Sequence, residues 1–277
     1  MITKGWLIDA ILYVYALSLL FIFSDLANSN RSLKRIGTGL LSFVWLLQTV
    51  YLAGNMISHR ASWVFSGSET LFLFSWLLVT ISLLLSRVYR IELLVFFVNV
   101  FGFAVLALNF FSSENVSPTL QSWNINDELL FVHITLAIGS YAAFTIGAVL
   151  SGMYLFLHRQ LKSKRWSPAM KRLPSLEKLD QYAFISVIVG APLLLLALAL
   201  GIVWIALEGD PRLFYDPKVV NTLFVMAAYV FYIFQRRTLR LEVTKLAAWN
   251  LAAFAIVVMN LIVSNLLSDF HDWIWMG

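Results

Sequence analysis

Apolar positions gather along this chain into eight runs, roughly 6–26, 36–57, 69–86, 91–111, 129–157, 182–207, 219–235 and 245–268. Most are long enough to cross a hydrocarbon core of about 30 Å as a helix, which takes about 20 residues. In hydrocarbon the helix is the default, because it satisfies its own backbone hydrogen bonds. The third and seventh runs are short and make the weakest case for a span. The first run reads as a retained helix and not a cleaved leader: it is long, its basic flank follows it, and no Ala-x-Ala pattern ends it. The pattern predicts an all-α integral membrane protein, an eight-transmembrane-helix bundle that forms one membrane domain over 1–277.

The charged positions between the runs give this bundle a direction. Sixteen of the twenty Lys and Arg residues fall in the segments after the first, third, fifth and seventh runs. Seven of them lie in the single segment 158–181. The remaining four are Lys4, Arg60, Arg212 and Lys218. By the positive-inside rule the heavily basic side is cytoplasmic, which places both the N-terminus and the C-terminus outside. An odd number of helices would scramble the alternation, so the bias supports the count of eight as well. Trp63, Trp123, Trp273 and Trp275 then lie in outer segments, where indole rings favour the headgroup region.

Composition agrees and removes several classes of function. Apolar residues make up 60% of the chain and charged residues 13%, against about 25% charged in soluble domains. The formal charge of +5 does not point to nucleic acid, because the basic residues sit in short loops, where they set topology and attract anionic lipids. The absence of cysteine excludes a disulfide, a thiolate metal site and thiol redox chemistry within this chain. No zinc, P-loop or nucleotide-fold motif appears. The segments 158–181 and 112–128 are too short to form domains, so function resides in the bundle, its outer loops or the basic inner segment. That inner segment has two readings, a topology determinant that touches anionic lipid or a docking surface for an acidic cytoplasmic partner.

Few polar residues are left to carry chemistry. There are four histidines. Topology places His59 at the outer end of helix 2, His133 about one turn inside the outer end of helix 5, and His271 just past the outer end of helix 8; His158 is at the inner end of helix 5. Neutral imidazole is a good ligand for haem iron, and two can bind it from opposite faces. His133 and His271 lie at similar depth on different helices, as such a site requires, with His59 as an alternative ligand. From spacing alone each is better explained as an ordinary interfacial histidine, although an ionisable group inside the membrane leans slightly toward function. A haem slot also needs aromatic walls, for which Trp63, Trp204, Phe214, Tyr215 and Trp273 are candidates. Cations for the propionates are Arg60, Arg212 and Lys218. Asp9 and Asp25 read as interfacial groups near the two ends of helix 1. Pro192 reads as a kink in helix 6, Gly147 and Gly152 as points of close helix approach, and Ser175 as an N-cap leading into helix 6.

Four stretches resemble the cytochrome c assembly superfamily of haem-handling membrane proteins. His133 followed by Ser140-Tyr141-Ala142-Ala143 is similar to the family's outer histidine helix. Leu173 to Asp180, leading into Gly190-Ala191-Pro192-Leu193-Leu194, Gly201 and Trp204, is similar to the pattern of its sixth helix. Asp216-Pro217-Lys218 looks like the end of its tryptophan-rich haem loop, and His271 stands where the family has its second outer histidine. Two features depart from it: the loop from Glu208 to Tyr215 reads EGDPRLFY with no tryptophan, and Phe234 stands where a further histidine is expected. Both speak against a full cytochrome c synthase. In the first half, Tyr13 to Ser18, Asn30-Arg31 and Phe43 to Val50 resemble the short, eight-helix HemX-like branch, found beside haem-biosynthesis genes in Gram-positive bacteria.

The resemblance implies a protein of the bacterial plasma membrane that holds haem b through His133 and His271 near the outer leaflet. It implies a role in lowering glutamyl-tRNA reductase, the committed enzyme of haem synthesis, by sensing or translocating haem and without catalysing a reaction itself. Two rival readings are a haem-delivery factor for cytochrome c, and a small-molecule transporter whose histidines are incidental.

Overall fold

The computed structural model describes residues 2–28, 31–58, 67–88, 92–111, 125–164, 173–208, 211–239 and 241–266. His59, Arg60, Trp63, Trp123, His271, Trp273 and Trp275 lie outside the described residues. The helices are α1 (Ile2–Asn28), α2 (Arg31–Ser58), α3 (Gly67–Val88), α4 (Glu92–Phe111), α5 (Ile125–Lys162), α6 (Leu176–Glu208), α7 (Pro217–Phe234) and α8 (Val243–Leu266). A short 3-10 turn, Pro211–Tyr215, precedes α7, and a π turn, Gln235–Leu239, follows it. Among the described residues, seven of the helices are long and apolar enough to cross a membrane. The third and seventh runs are among them, and the π turn lengthens the span of the latter to Pro217–Leu239. The shorter apolar stretch is on α4, Glu92–Ala107. Several helices outrun their apolar runs. The 38 residues of α5 rise about 57 Å at 1.5 Å per residue, well beyond a hydrocarbon core of about 30 Å.

The chain divides into two compact units, one essentially α1–α4 and the other α5–α8. In the first, α1 and α2 approach so closely that a Cβ on Gly37 would stand 2.8 Å from Ile22 Cγ1, while Ser18 Oγ donates to the Gly37 carbonyl at 3.0 Å. Tyr15, fully buried, donates its hydroxyl to Asn99 Oδ1 of α4 at 2.9 Å. Asn99 Nδ2 in turn donates to Ser82 Oγ of α3 at 2.7 Å and to the Val95 carbonyl. Between α2 and α3 the contact is reciprocal. Trp45 Nε1 donates to Thr80 Oγ1 and Trp76 Nε1 to Thr49 Oγ1, each at 2.9 Å. Each threonine also donates back to the tryptophan carbonyl one turn earlier on its own helix. Asp25, expected at an interface, is buried in this unit.

In the second unit α5 and α6 pack as a long antiparallel pair. Contacts run from Gly147 against Ala183, through Phe144 against Gly190, to His133 against Gly201. Small residues on α6 permit this: Ala183, Gly190 and Ala197 recur every seven positions and face one way. A Cβ on Gly190 would fall 2.6 Å from Phe144 Cε1. Of the two glycines expected to bring helices together, Gly147 has Ser186 Cβ and the Ala183 carbonyl within reach, whereas nothing lies within 4 Å of a Cβ on Gly152. The close approach is therefore built mainly by glycines of α6. Phe144 stacks on Tyr229 of α7 with centroids 3.7 Å apart. Asn250 of α8 donates to Ser151 of α5, and Trp249 Nε1 donates to the Ala228 carbonyl of α7 at 3.0 Å. Ser175 caps α6 as its sequence predicts, its Oγ accepting from Lys178 N–H at 3.4 Å. After α5, Lys164 turns the chain with φ 54°.

Candidate functional site

His133 lies on α5 with its ring against α6. Its Nδ1 stands 2.6 Å from the Ala197 carbonyl oxygen. A carbonyl only accepts, so Nδ1 carries the proton and donates. Neutral imidazole then has its lone pair on Nε2, and among the described residues no hydrogen-bond donor meets that atom. A backbone carbonyl that fixes the tautomer and the ring plane while leaving the other nitrogen bare is the usual support of a metal-ligating histidine.

Gly201, one turn beyond Ala197, makes room for the ring: a Cβ there would stand 2.9 Å from His133 Cε1 and 3.1 Å from Nδ1. Trp204 follows three residues later on the same face of α6 and is buried, at 3% exposure. From α7, the Lys218 ammonium is close enough to act electrostatically on the imidazole. Lys218 is held there by local geometry. Asp216 is the N-cap of α7, its Oδ1 accepting from Lys218 N–H at 2.7 Å, and Pro217 takes the first helical position, where a missing N–H costs nothing.

One further polar cluster lies deeper in the same unit. Two turns along α5 from His133, Tyr141 meets Asn260 of α8, whose Nδ2 donates to the tyrosine hydroxyl and, at 3.0 Å, to Thr222 Oγ1 of α7. Thr222 in turn donates to the Lys218 carbonyl. This chain of bonds ties α8 and α5 to the first turn of α7. Residue-level reading missed Asn260, although an asparagine in the apolar run of α8 is a signal of its own.

The sequence candidates therefore separate. His133, Trp204 and Lys218 come together in the second unit. Arg212 is exposed on the 3-10 turn, and Tyr215 is 84% exposed. Phe214 is also exposed. His271, Arg60 and the alternative ligand His59 lie outside the described residues. At the opposite end of the unit, His158 stacks on Tyr154, and Phe234, at the position of the family's further histidine, is exposed. Also at that end, Arg236 makes a bidentate pair with Asp180 of α6, at 2.5 and 2.8 Å, with its guanidinium 4.3 Å above the Phe184 ring.

The fold and site define the class, a membrane helix bundle that holds an imidazole with one nitrogen bare, and comparison with known proteins gives the family. The family model described as Cytochrome C assembly protein matches residues 64–271. Protein HemX of Brevibacillus brevis is 39% identical over 97% of this chain and 98% of its own length. Protein HemX of Bacillus subtilis (strain 168) is 37% identical over 95% of each. Cytochrome c biogenesis protein CcsA of Prochlorococcus marinus subsp. pastoris is more distant, at 24% over 98% of this chain. The chain belongs to the cytochrome c assembly family, in its HemX-like branch. It is a multi-pass membrane protein with a haem-related role.

Proposed function

We propose that the chain binds haem b near the outer leaflet of the bacterial plasma membrane and restrains haem synthesis by lowering glutamyl-tRNA reductase. The observation that carries this reading is His133, whose Nδ1–H is committed to the Ala197 carbonyl so that Nε2 is free to ligate. His133, through Nε2, and His271 would hold the haem iron. Lys218 would pair with the propionates, as would Arg212 and Arg60, and Trp204 would form a wall, whereas Tyr215, the other wall candidate, is 84% exposed. Bound haem would supply an iron centre that imidazole can ligate; of this chain's own residues, Ala197 fixes the His133 tautomer and the cations would neutralise the carboxylates. The protein acts as a haem sensor or exporter and is not an enzyme.

In this reading all eight helices span the membrane with both termini outside, supported by the sixteen-to-four split of basic residues. Reporter fusions at residue 120 and at the C-terminus read as outside, and one near residue 168 reads as inside. A cytoplasmic C-terminus breaks the topology. The basic segment 158–181 faces anionic lipid and the reductase. A delivery factor for cytochrome c is disfavoured because the loop Glu208 to Tyr215 has no tryptophan.

The test is the reductase level in cells that carry the wild-type chain, His133→Ala, or neither. Wild type lowers the reductase and His133→Ala leaves it at the level of cells without the chain. An equal level in all three rejects the regulatory role.

A further inference from the structure

The α6 face opposite His133 does more than allow close packing. Ala197 and Gly201 are one turn apart, and the imidazole lies over both of them: its Nδ1 is 2.6 Å from the Ala197 oxygen, and its Cε1 edge occupies the space a Cβ on Gly201 would fill at 2.9 Å. Ala197 offers the ring a backbone carbonyl, which no side-chain change at 197 removes. Gly201 is where sequence can act. A methyl group there displaces the ring, because its Cβ stands 2.9 Å from Cε1 and 3.1 Å from Nδ1, while Nε2 at 3.8 Å is only in ordinary contact. The ring then turns about its Cα–Cβ–Cγ bonds, the hydrogen bond to Ala197 lengthens, and the Nδ1–H tautomer loses its support. In a membrane helix a freed imidazole N–H seeks another acceptor, and Nε2 no longer presents its lone pair in the original direction.

We propose that Gly201 is a positioning residue for His133: its missing side chain seats the imidazole on the Ala197 carbonyl, and so sets which nitrogen is free to ligate and where that nitrogen points. The inference rests on the haem reading above for its function, but the seating itself is a property of the protein without ligand. The other glycine that meets an aromatic side chain this closely in the unit, Gly190 against Phe144, touches only carbon. It supplies a packing control on the same helix.

The experiment has two arms, both on the full-length chain in detergent micelles. In the first, haem-free protein with 15N-labelled histidine is compared by NMR as wild type and Gly201→Ala. Wild type shows a His133 ring with a protonated Nδ1 and a bare Nε2. Gly201→Ala shows that pattern lost or mixed. In the second, both are titrated with haem. Gly201→Ala binds about ten-fold more weakly or worse, within the 10–100-fold range seen when the outer support of a ligating histidine is removed, and its low-spin bands shift. Gly190→Ala, if it folds, keeps the His133 tautomer. Should Gly201→Ala not fold alone, the double variant His133→Ala/Gly201→Ala decides, because removing the ring removes the clash. The double variant then unfolds at the same temperature as His133→Ala, and a failure of the double variant to fold overturns the proposal. An unchanged tautomer in Gly201→Ala overturns it too, whatever the haem titration shows. If wild type takes up no haem, the haem reading fails and the NMR arm alone still judges the seating.

Discussion

The two halves of this protein bury polar groups for different ends. In the first unit the buried hydrogen bonds described above are neutral and mutual. Tyr15, Asn99 and Ser82 tie α1, α3 and α4 together, and Trp45, Thr80, Trp76 and Thr49 tie α2 to α3. Such groups hold helices together where hydrophobic force between them is absent. The first unit also holds ionisable groups, buried Asp25 and the pair Lys34–Glu92; the second uses the same neutral ties, between Asn250 and Ser151 for instance, and carries ionisable groups near both ends of its helices. His133 and Lys218 stand at one end, Asp180 and Arg236 at the other. Its histidine spends one nitrogen on the fold and leaves the other bare. Half-satisfied groups occur in the scaffold too, at Gln48 Oε1 and Asn250 Oδ1, so what sets this end apart is that its bare atom belongs to an imidazole, a side chain that ligates metals.

Variants separate these roles, and the largest effect belongs to the second unit. Arg236→Gln strands the Asp180 carboxylate, whose side chain is 17% exposed, and costs about 2–3 kcal/mol in unfolding free energy. Asp180→Asn in the Arg236→Gln background adds little, because the charge left unpaired is gone. Next comes Asn99→Leu in the first unit, which removes three hydrogen bonds and costs about 1–2 kcal/mol. It leaves any haem spectrum unchanged. A smaller loss follows from Asp216→Ala, about 1 kcal/mol for the lost cap of α7, yet this variant weakens haem binding because the cap places Lys218. The comparison breaks if Asn99→Leu weakens haem binding and Asp216→Ala does not. Least costly is Trp76→Phe, about 0.5 kcal/mol for one indole bond to Thr49, with no effect on haem.

Much of the fold was legible because lipid makes sequence simple. A run of apolar residues bounded by loops has one solution in hydrocarbon, and α1–α8 follow those runs closely. The ends were less legible. The Leu129–Lys162 span of α5 includes His158 and Lys162, because a helix does not stop where hydropathy does. The seventh span gains its length from a π turn that no periodicity announces. Of the site, His133 stood out as an ionisable group in an apolar run, and Lys218 as a cation of the sparsely charged side. Its supporting atom, the Ala197 carbonyl, was invisible, since every residue has one. Gly201 was visible only as part of a family pattern, and its role emerges from the distance to a ring on another helix. Gly147 and Gly152 show the reverse: similar in sequence, one faces α6 and the other faces open space.

The most direct test of the account is the absorption spectrum of pure protein expressed with a haem supply. The account predicts a low-spin, bis-histidine haem spectrum in wild type and in His158→Ala. His133→Ala and His271→Ala leave the iron five-coordinate or lose haem altogether. If His59→Ala loses the spectrum while both of those keep it, the site is real but the ligands are misassigned. If His133→Ala keeps the wild-type spectrum, or if wild type takes up no haem, the central claim that His133 Nε2 is held free for iron is contradicted.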